Sequence, residues 1–204
     1  MIVKLGAAIV VLLALAGSII LNTFLMMDRP EPKITTSGTA AIGGPFTLVA
    51  TNDETVSDQT YRGKWLLIYF GYTYCPDACP TALNSISVAL EKLGSQASDL
   101  QPLFVTVDPD RDTRETMTKY LRSFDSRIIG LTGTKEQIDS VIKGYHLDVS
   151  REKPEHGGDD YLISHGSYIY LMDPQGRFVN VIHAEELGDE IAIRLRKEMA
   201  DAGQ

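Results

Sequence analysis

The stretch of sequence that decides the fold runs from Trp65 to Pro80 and reads WLLIYFGYTYCPDACP. Its first half is an uninterrupted apolar run, which is typical of a strand in the middle of a sheet covered on both faces. Its second half holds Cys75 and Cys79, the only cysteines of the chain. Because proline fits only the first turn of a helix, a helix should begin near Cys79, after a turn over residues 75–78. Two thiols just after the carboxyl end of a buried strand predict either a reversible disulfide or a site for a soft metal ion.

Alternating strands and helices are predicted around this stretch. Apolar residues on both sides of Asn52-Asp53 predict an N-terminal β-hairpin, and the first helix should end at Gly94. The later predicted elements are a strand over Leu103–Val107, a helix with a capping box at Asp112–Glu115 that runs through Phe124, a strand over Ile128–Leu131, a helix capped at Thr134, a hairpin of Tyr168–Met172 with Phe178–Ile182, and a helix over Asp189–Met199. This order predicts an α/β fold with a mixed sheet flanked by helices. A cysteine pair between a first central strand and the next helix is the thioredoxin arrangement.

The N-terminal region predicts a membrane anchor. Residues 5–27 carry no charge and are almost all apolar, which is long enough for one transmembrane helix. Residues 1–4 should then remain cytoplasmic, and the rest of the chain should lie on the oxidising side. The alternative is cleavage at the small residues Ala14-Leu15-Ala16. The absence of an Arg-rich amphipathic presequence favours a bacterial inner membrane, with the soluble domain in the periplasm.

The rest of the chain divides into a linker and one domain. Residues 28–41 are rich in Pro, Thr, Ser, Gly and Ala and lack apolar periodicity, which is typical of a flexible linker. Residues 42–204 are enough for one domain with its own core. The formal net charge is −8, from 27 acidic and 19 basic residues, and no basic stripe is present. This charge argues against nucleic acid as a partner.

The spacing of the two cysteines permits two kinds of chemistry. Ordinary thiol exchange in this fold uses Cys-x-x-Cys, whereas three residues separate Cys75 from Cys79. A turn of this length still allows the Cα separation of about 4.4–6.8 Å that a disulfide needs. It also allows the two sulfurs to converge on a metal ion, and the following helix N-terminus favours the thiolate in both cases. Two buried structural cysteines are a third interpretation, which the surrounding prolines and Asp77 disfavour.

A metal site needs a third ligand, and the chain offers four histidines: His146, His156, His165 and His183. His165 directly precedes the strand that should pair beside the cysteine-bearing strand. In a thioredoxin-like domain, the loop that enters this strand reaches the catalytic turn. We therefore predict His165 as the third ligand, although a lone histidine is more often a surface or capping residue.

The chain also resembles the SCO/SenC copper-chaperone family. The resemblance rests on Gly44-Pro45-Phe46, Gly63-Lys64-Trp65, Tyr69 to Pro80, Val107 to Thr113 and the segment around His165. It implies a thioredoxin-like fold that binds copper through the two motif cysteines and a distant histidine, which are Cys75, Cys79 and His165 here. It further implies assistance in assembling the binuclear copper centre of cytochrome c oxidase. The family histidine usually follows Asp and precedes Ser or Thr, whereas Ser164 and Gly166 flank it here.

The donor set suits copper. Two thiolates and one imidazole form a soft set that favours Cu(I) over Cu(II), whereas structural zinc normally takes a fourth ligand. We therefore predict a metallochaperone that delivers copper to the copper-centre subunit of cytochrome c oxidase. An upstream copper donor or a thioredoxin-like reductant are further expected partners. The rival prediction is a thiol–disulfide oxidoreductase that reduces the cysteines of that subunit or of another copper-receiving protein.

Three other motifs carry less weight. Asp108, Asp110 and Asp112 lack the glycine and distal glutamate of a calcium loop, so a turn with helix caps and a local Arg111 ion pair is expected. Tyr72 and Tyr74 should either shield the site or pack in the core. A peroxiredoxin-type peroxidase is disfavoured because its Pro-x-x-x-Thr-x-x-Cys motif is missing.

Overall fold

The computed structural model describes residues 42–152 and 161–201. The strands are β1 (Thr47–Ala50), β2 (Thr55–Ser57), β3 (Trp65–Gly71), β4 (Leu100–Thr106), β5 (Ile129–Thr132), β6 (Val149–Glu152), β7 (Leu162–His165), β8 (Tyr168–Met172) and β9 (Phe178–His183). The helices are α1 (Ala78–Leu93), α2 (Arg114–Leu121), α3 (Lys135–Gly144) and α4 (Gly188–Asp201), and a 3-10 helix spans Gly94–Asp99. The predicted anchor (5–27), the predicted linker (28–41) and His156 lie outside the described residues. Within the described ranges, no helix combines the length and apolarity that crossing a membrane requires.

Seven of the strands form one mixed sheet in the order β2-β1-β5-β4-β3-β8-β9. β3 pairs in parallel with β4, and β4 pairs in parallel with β5. β8 runs antiparallel to β3 on its other side, and β9 completes the C-terminal hairpin. The N-terminal hairpin β1–β2 joins the sheet through antiparallel pairing of β1 with β5. The predicted mixed sheet, its two hairpins and the position of β8 beside β3 are confirmed.

Both faces of β3 are covered, as its uninterrupted apolar sequence predicts, and every residue of the strand is buried. Alternate residues contact different helices. Tyr69 and Gly71 face α1, where the Tyr69 hydroxyl reaches Cys79. Ile68 and Phe70 face the other side, where they line a small cavity together with Val141 of α3. The predicted helices on both faces of the sheet are therefore confirmed.

Helix α1 follows the sequence closely. It begins at Ala78, one residue before the predicted start, and Pro80 occupies its first turn, where its missing N–H costs nothing. Its predicted apolar positions are all buried: Leu83, Ile86, Leu90 and Leu93. Gly94 ends the helix with a φ of 58°, a left-handed conformation that glycine adopts without strain. The turn after β3 and the first turn of α1 therefore present Cys75 and Cys79 at one end of the sheet.

The predicted capping box at Asp112–Glu115 was wrong. The N-cap of α2 is Thr113, whose hydroxyl accepts from the Thr116 N–H, and the helix ends at Leu121, before Phe124. Asp112 is fully buried and points into the protein instead. Its carboxylate accepts hydrogen bonds from groups that are distant in sequence, which outweigh the local capping pattern. The helix cap predicted at Thr134, by contrast, is confirmed, and Thr134 forms a capping box with Gln137.

A third hairpin was not predicted from the sequence. Strands β6 and β7 pair antiparallel with each other and form a separate two-stranded sheet. His165, expected in a loop, is the last residue of β7 and lies opposite Val149. The β6–β7 hairpin therefore carries the predicted third ligand.

Candidate metal centre

Cys75, Cys79 and His165 come together in space. One potential ligand atom from each residue lies within 4.8 Å of the other two. Cys79 Sγ lies 3.6 Å from His165 Nε2. No other such group of three His, Cys, Asp or Glu side chains occurs in the described part of the chain. The turn after β3 and the end of β7 thus supply two sulfurs and one imidazole to one point.

The start of α1 stabilises negative charge on Cys75. The N-cap residue Asp77 makes no side-chain hydrogen bond to the helix. The Cys79 N–H instead donates to Cys75 Sγ at 3.4 Å, so that a sulfur caps the helix. Backbone N–H groups and the helix dipole at this position favour a thiolate.

The two thiols differ in acidity. The side-chain hydrogen bond from Cys79 is the largest cause that lowers the pKa of Cys75 to about 3. Cys79 is fully buried, and its hydrogen bond to Cys75, its burial and the nearby Cys75 charge raise the pKa of its thiol. At neutral pH the reduced pair therefore holds a thiolate at Cys75 and a thiol at Cys79.

The His165 imidazole is held from three sides. Its Nδ1 lies 3.3 Å from the Gly166 carbonyl oxygen, and a proton on Nδ1 leaves the Nε2 lone pair free to face Cys79. The rings of Tyr69 and Tyr72 meet the imidazole edge-on, with centroids 6.2 and 5.9 Å away. A backbone carbonyl therefore lies where it can orient the imidazole.

Tyr69 is a site residue that the sequence analysis treated only as part of a strand. Its hydroxyl donates to Cys79 Sγ across 3.7 Å, and the side chain is fully buried. Burial and the neighbouring Cys79 raise the pKa of the phenol, which therefore remains a donor. Gly71, two residues further along β3, gives Cys79 its space, because a Cβ there would lie 2.7 Å from Cys79 Sγ. Alternate residues of β3 face α1, and this period-2 pattern is the sequence signal that would have identified Tyr69 and Gly71 as neighbours of Cys79.

Asp112 fixes the loop that leads to the cysteines. Its carboxylate accepts from the Thr73 N–H at 3.0 Å, from the Thr73 hydroxyl at 2.5 Å and from the Thr106 hydroxyl at 2.7 Å. Thr73 precedes Cys75 by two residues, so this contact ties the cysteine turn to the end of β4. Burial raises the pKa of Asp112 and opposes the effect of these hydrogen bonds.

The β6–β7 hairpin is fastened to the domain by side chains. The Tyr161 hydroxyl donates to the buried Asp108 carboxylate at 2.6 Å, and Arg111 donates to the Tyr161 carbonyl at 3.0 Å. Arg111 also forms the expected ion pair with Asp108 at 2.5 Å and lies over the Tyr161 ring at 3.7 Å. Ile163 adds a backbone N–H bond to the Tyr72 hydroxyl at 3.2 Å. These contacts hold His165 against the cysteine turn.

The remaining candidates lie elsewhere. His146 follows α3 and His183 ends β9; both are exposed, and neither belongs to the Cys75–Cys79–His165 group. Asp108 and Asp110 pair with arginines, and Asp112 is bonded to threonines. Asp108 and Asp110 both lie near Arg151, and the local ion pair of Asp108 with Arg111 is the one that the turn-and-cap interpretation expects.

The two tyrosines before Cys75 differ. Tyr72 is buried against His165, so it both packs and shields, whereas Tyr74 is 60% exposed and lies beside Arg111. Cys79 is buried, while Cys75 and His165 are partly exposed. An ion or a partner therefore reaches the site from the side of Cys75 and His165.

The mixed sheet, the cysteine turn after β3 and the histidine on the β6–β7 hairpin together define a class of protein. It is a thioredoxin-like dithiol protein whose two sulfurs and one imidazole can bind a soft metal ion. Residues 34–200 match the SCO1/SenC family, and the chain belongs to that family. It is 37% identical over 164 residues to the Homo sapiens protein named "Protein SCO1 homolog, mitochondrial", covering 79% of this chain. That match spans 54% of the human protein, little more than half of its length.

Solved structures of relatives have the same fold. Bradyrhizobium japonicum ScoI, solved with copper bound, is 42% identical with a TM-score of 0.72, and the match covers 78% of this chain and 99% of that one. Arabidopsis thaliana ScoI, also solved with copper bound, is 36% identical with a TM-score of 0.73, covering 79% and 99%. Both proteins are similar to this chain over nearly the whole of the described domain.

Proposed function

We propose that this protein binds Cu(I) through Cys75, Cys79 and His165. The observation that carries the proposal is the convergence of two sulfurs and one imidazole nitrogen within 4.8 Å. The donor set fits the ion, because thiolate ligands select Cu(I) and imidazole is also a good copper ligand. Copper bound in the similar ScoI proteins of Bradyrhizobium japonicum and Arabidopsis thaliana supports the same conclusion.

The copper is cargo, which the protein delivers to the copper-centre subunit of cytochrome c oxidase. Sco proteins are described as a family of cytochrome c oxidase assembly proteins. Two thiolates with Cu(I) leave a net charge of −1, and three protein ligands leave room for a ligand from the partner. Because Cys75 and His165 are partly exposed, a cysteine or methionine of the partner can approach on that side.

Copper transfer tests this function. The copper-loaded protein is mixed under anaerobic conditions with the reduced, copper-free soluble domain of the oxidase subunit, and copper in each separated protein is measured by mass spectrometry. Transfer from the parent is expected, together with loss of loading in Cys75→Ser. Copper that stays with the loaded protein at equilibrium would contradict delivery. An upstream copper donor can be tested in the same way, with this protein as the acceptor.

Thiol–disulfide reduction is the second candidate function. It is favoured by the difference between a partly exposed thiolate at Cys75 and a buried thiol at Cys79, since the first can attack a disulfide and the second can resolve the mixed disulfide. The oxidised Cys75–Cys79 pair would then be restored by a thioredoxin-like reductant. His165→Ala separates the two functions, because copper binding needs the imidazole and dithiol exchange does not. A His165→Ala protein that reduces the oxidised subunit at the parental rate but does not load copper would place both functions on one cysteine pair.

We further propose that residues 5–27 anchor the protein in a bacterial inner membrane, with the domain from residue 42 onward in the periplasm. The uncharged N-terminal run is the basis for this topology. Protease treatment of intact spheroplasts should digest the domain. Protection of the domain until the membrane is lysed would contradict the periplasmic location.

A further inference from the structure

The Tyr69 hydroxyl has one protein partner among the described residues, the sulfur of Cys79 at 3.7 Å. Tyr69 is fully buried, and its ring is stacked on Phe104 with centroids 6.2 Å apart. The Tyr69 ring also packs edge-to-face against the His165 imidazole. The phenol is therefore held by packing on two sides, and its O–H is directed at the buried sulfur of the site.

We propose that Tyr69 is a positioning residue that holds Cys79 Sγ and favours its reduced, metal-binding state over the disulfide. A hydrogen bond to sulfur stabilises the electron-rich thiol or thiolate more than the sulfur of a disulfide, which is a weaker acceptor. Hydrogen bonds to cysteine sulfur tune other metal–thiolate centres in the same way. The copper part of this inference rests on the function proposed above, whereas the thiol–disulfide part does not.

The phenol reaches a sulfur that belongs to a hydrogen-bonded turn. Cys79 Sγ accepts from the Tyr69 hydroxyl, and the Cys79 N–H donates to Cys75 Sγ at 3.4 Å. Bonds in such a network polarise and strengthen one another. A disulfide would join Cys79 Sγ to Cys75 Sγ and leave a weaker acceptor opposite the phenol.

The test is the replacement Tyr69→Phe, which removes one oxygen and keeps the ring. Tyr120→Phe is the matched control, because the Tyr120 hydroxyl is also buried and has no hydrogen-bond partner among the described residues. The Tyr120 ring lies next along the same aromatic stack, with its centroid 5.9 Å from that of Phe104. The two variants therefore lose the same atom from neighbouring positions, and only one loses a bond to sulfur.

The first readout needs no copper. The full chain is equilibrated in dithiothreitol buffers, where formation of the Cys75–Cys79 bond passes two electrons to the cyclic disulfide of oxidised dithiothreitol. That disulfide becomes the dithiol by taking up two protons, which the cysteines and the buffer supply. Tyr69→Phe is expected to shift this equilibrium about tenfold toward the protein disulfide, the upper end of what one intramolecular hydrogen bond contributes. That shift equals about 30 mV for a two-electron couple. Tyr120→Phe should stay within about twofold of the parent.

The second readout is the Cu(I) affinity, measured anaerobically against a chelator, with thermal unfolding as the check on folding. Tyr69→Phe should lose about tenfold in affinity, while Tyr120→Phe should match the parent. A parent that does not bind Cu(I) would refute the proposed function and leave the dithiothreitol result to decide this inference. Equal dithiol–disulfide equilibria for the parent, Tyr69→Phe and Tyr120→Phe would overturn the inference itself.

Discussion

Replacing Asp112 by asparagine should destabilise the domain strongly. The carboxylate is fully buried and accepts one backbone and two hydroxyl hydrogen bonds, from Thr73 and Thr106. A hydrogen bond to a charged group contributes about 1.5–3 kcal/mol. Asparagine keeps one oxygen and turns the other into an N–H donor, so it cannot accept all three bonds and carries no charge to strengthen those that remain. The free energy of unfolding should therefore fall by about 2–4 kcal/mol.

Urea unfolding followed by circular dichroism measures this loss. With an m value of about 2 kcal/mol/M, the midpoint should fall by roughly 1–2 M. The matched control is Asp110→Asn, which removes a half-exposed carboxylate paired with Arg151 and should cost less than about 1 kcal/mol. The Asp112→Asn protein should also bind copper more weakly, because the loop to Cys75 is released. Equal midpoints for Asp112→Asn and Asp110→Asn would refute the argument that Asp112 clamps this loop.

Three further outcomes are expected. Gly71→Ala places a Cβ 2.7 Å from Cys79 Sγ and should cost about 1–3 kcal/mol of unfolding free energy by overpacking; an unchanged melting curve would show that the site can expand. Alkylation of Cys75 by iodoacetamide should proceed at a nearly constant rate from about pH 5 to pH 8, because a thiol with a pKa of about 3 stays ionised there. A rate that falls tenfold for each unit by which the pH is lowered would indicate a thiol with an ordinary pKa. Tyr161→Phe removes a hydrogen bond to buried Asp108 and should accelerate hydrogen exchange at the β7 amides, and unchanged exchange would mean that the hairpin is held by other contacts.

The segment from β3 through α1 was predictable because its signals are local. An apolar run long enough for a buried strand, a proline in the first helical turn and a glycine at the helix end all act within a few residues. The C-terminal hairpin was predictable for the same reason, since its turn Asp173–Gly176 closes with a hydrogen bond from the Gly176 N–H to the Asp173 carbonyl.

The missed features depend on contacts that are distant in sequence. Asp112 has a capping pattern, yet Thr73, which is 39 residues away, provides the bonds that turn it inward. The strands β6 and β7 are short and mostly exposed, so they show little apolar alternation. His165 was predicted from topology and family resemblance, and the structure brings it to the cysteines. Its role as a copper ligand, like that of Cys75 and Cys79, stays a prediction.

The most direct test of the central claim is an anaerobic Cu(I) titration of the reduced protein against a competing chelator. The parent is compared with His165→Ala and with His183→Ala, a matched loss of an exposed histidine at the end of β9. The account predicts tight one-to-one binding by the parent and by His183→Ala. It predicts a loss of at least about tenfold for His165→Ala, since even an outer partner of a metal ligand contributes that much. Equal affinity in all three proteins, or no binding by the parent, would contradict a copper site formed by Cys75, Cys79 and His165.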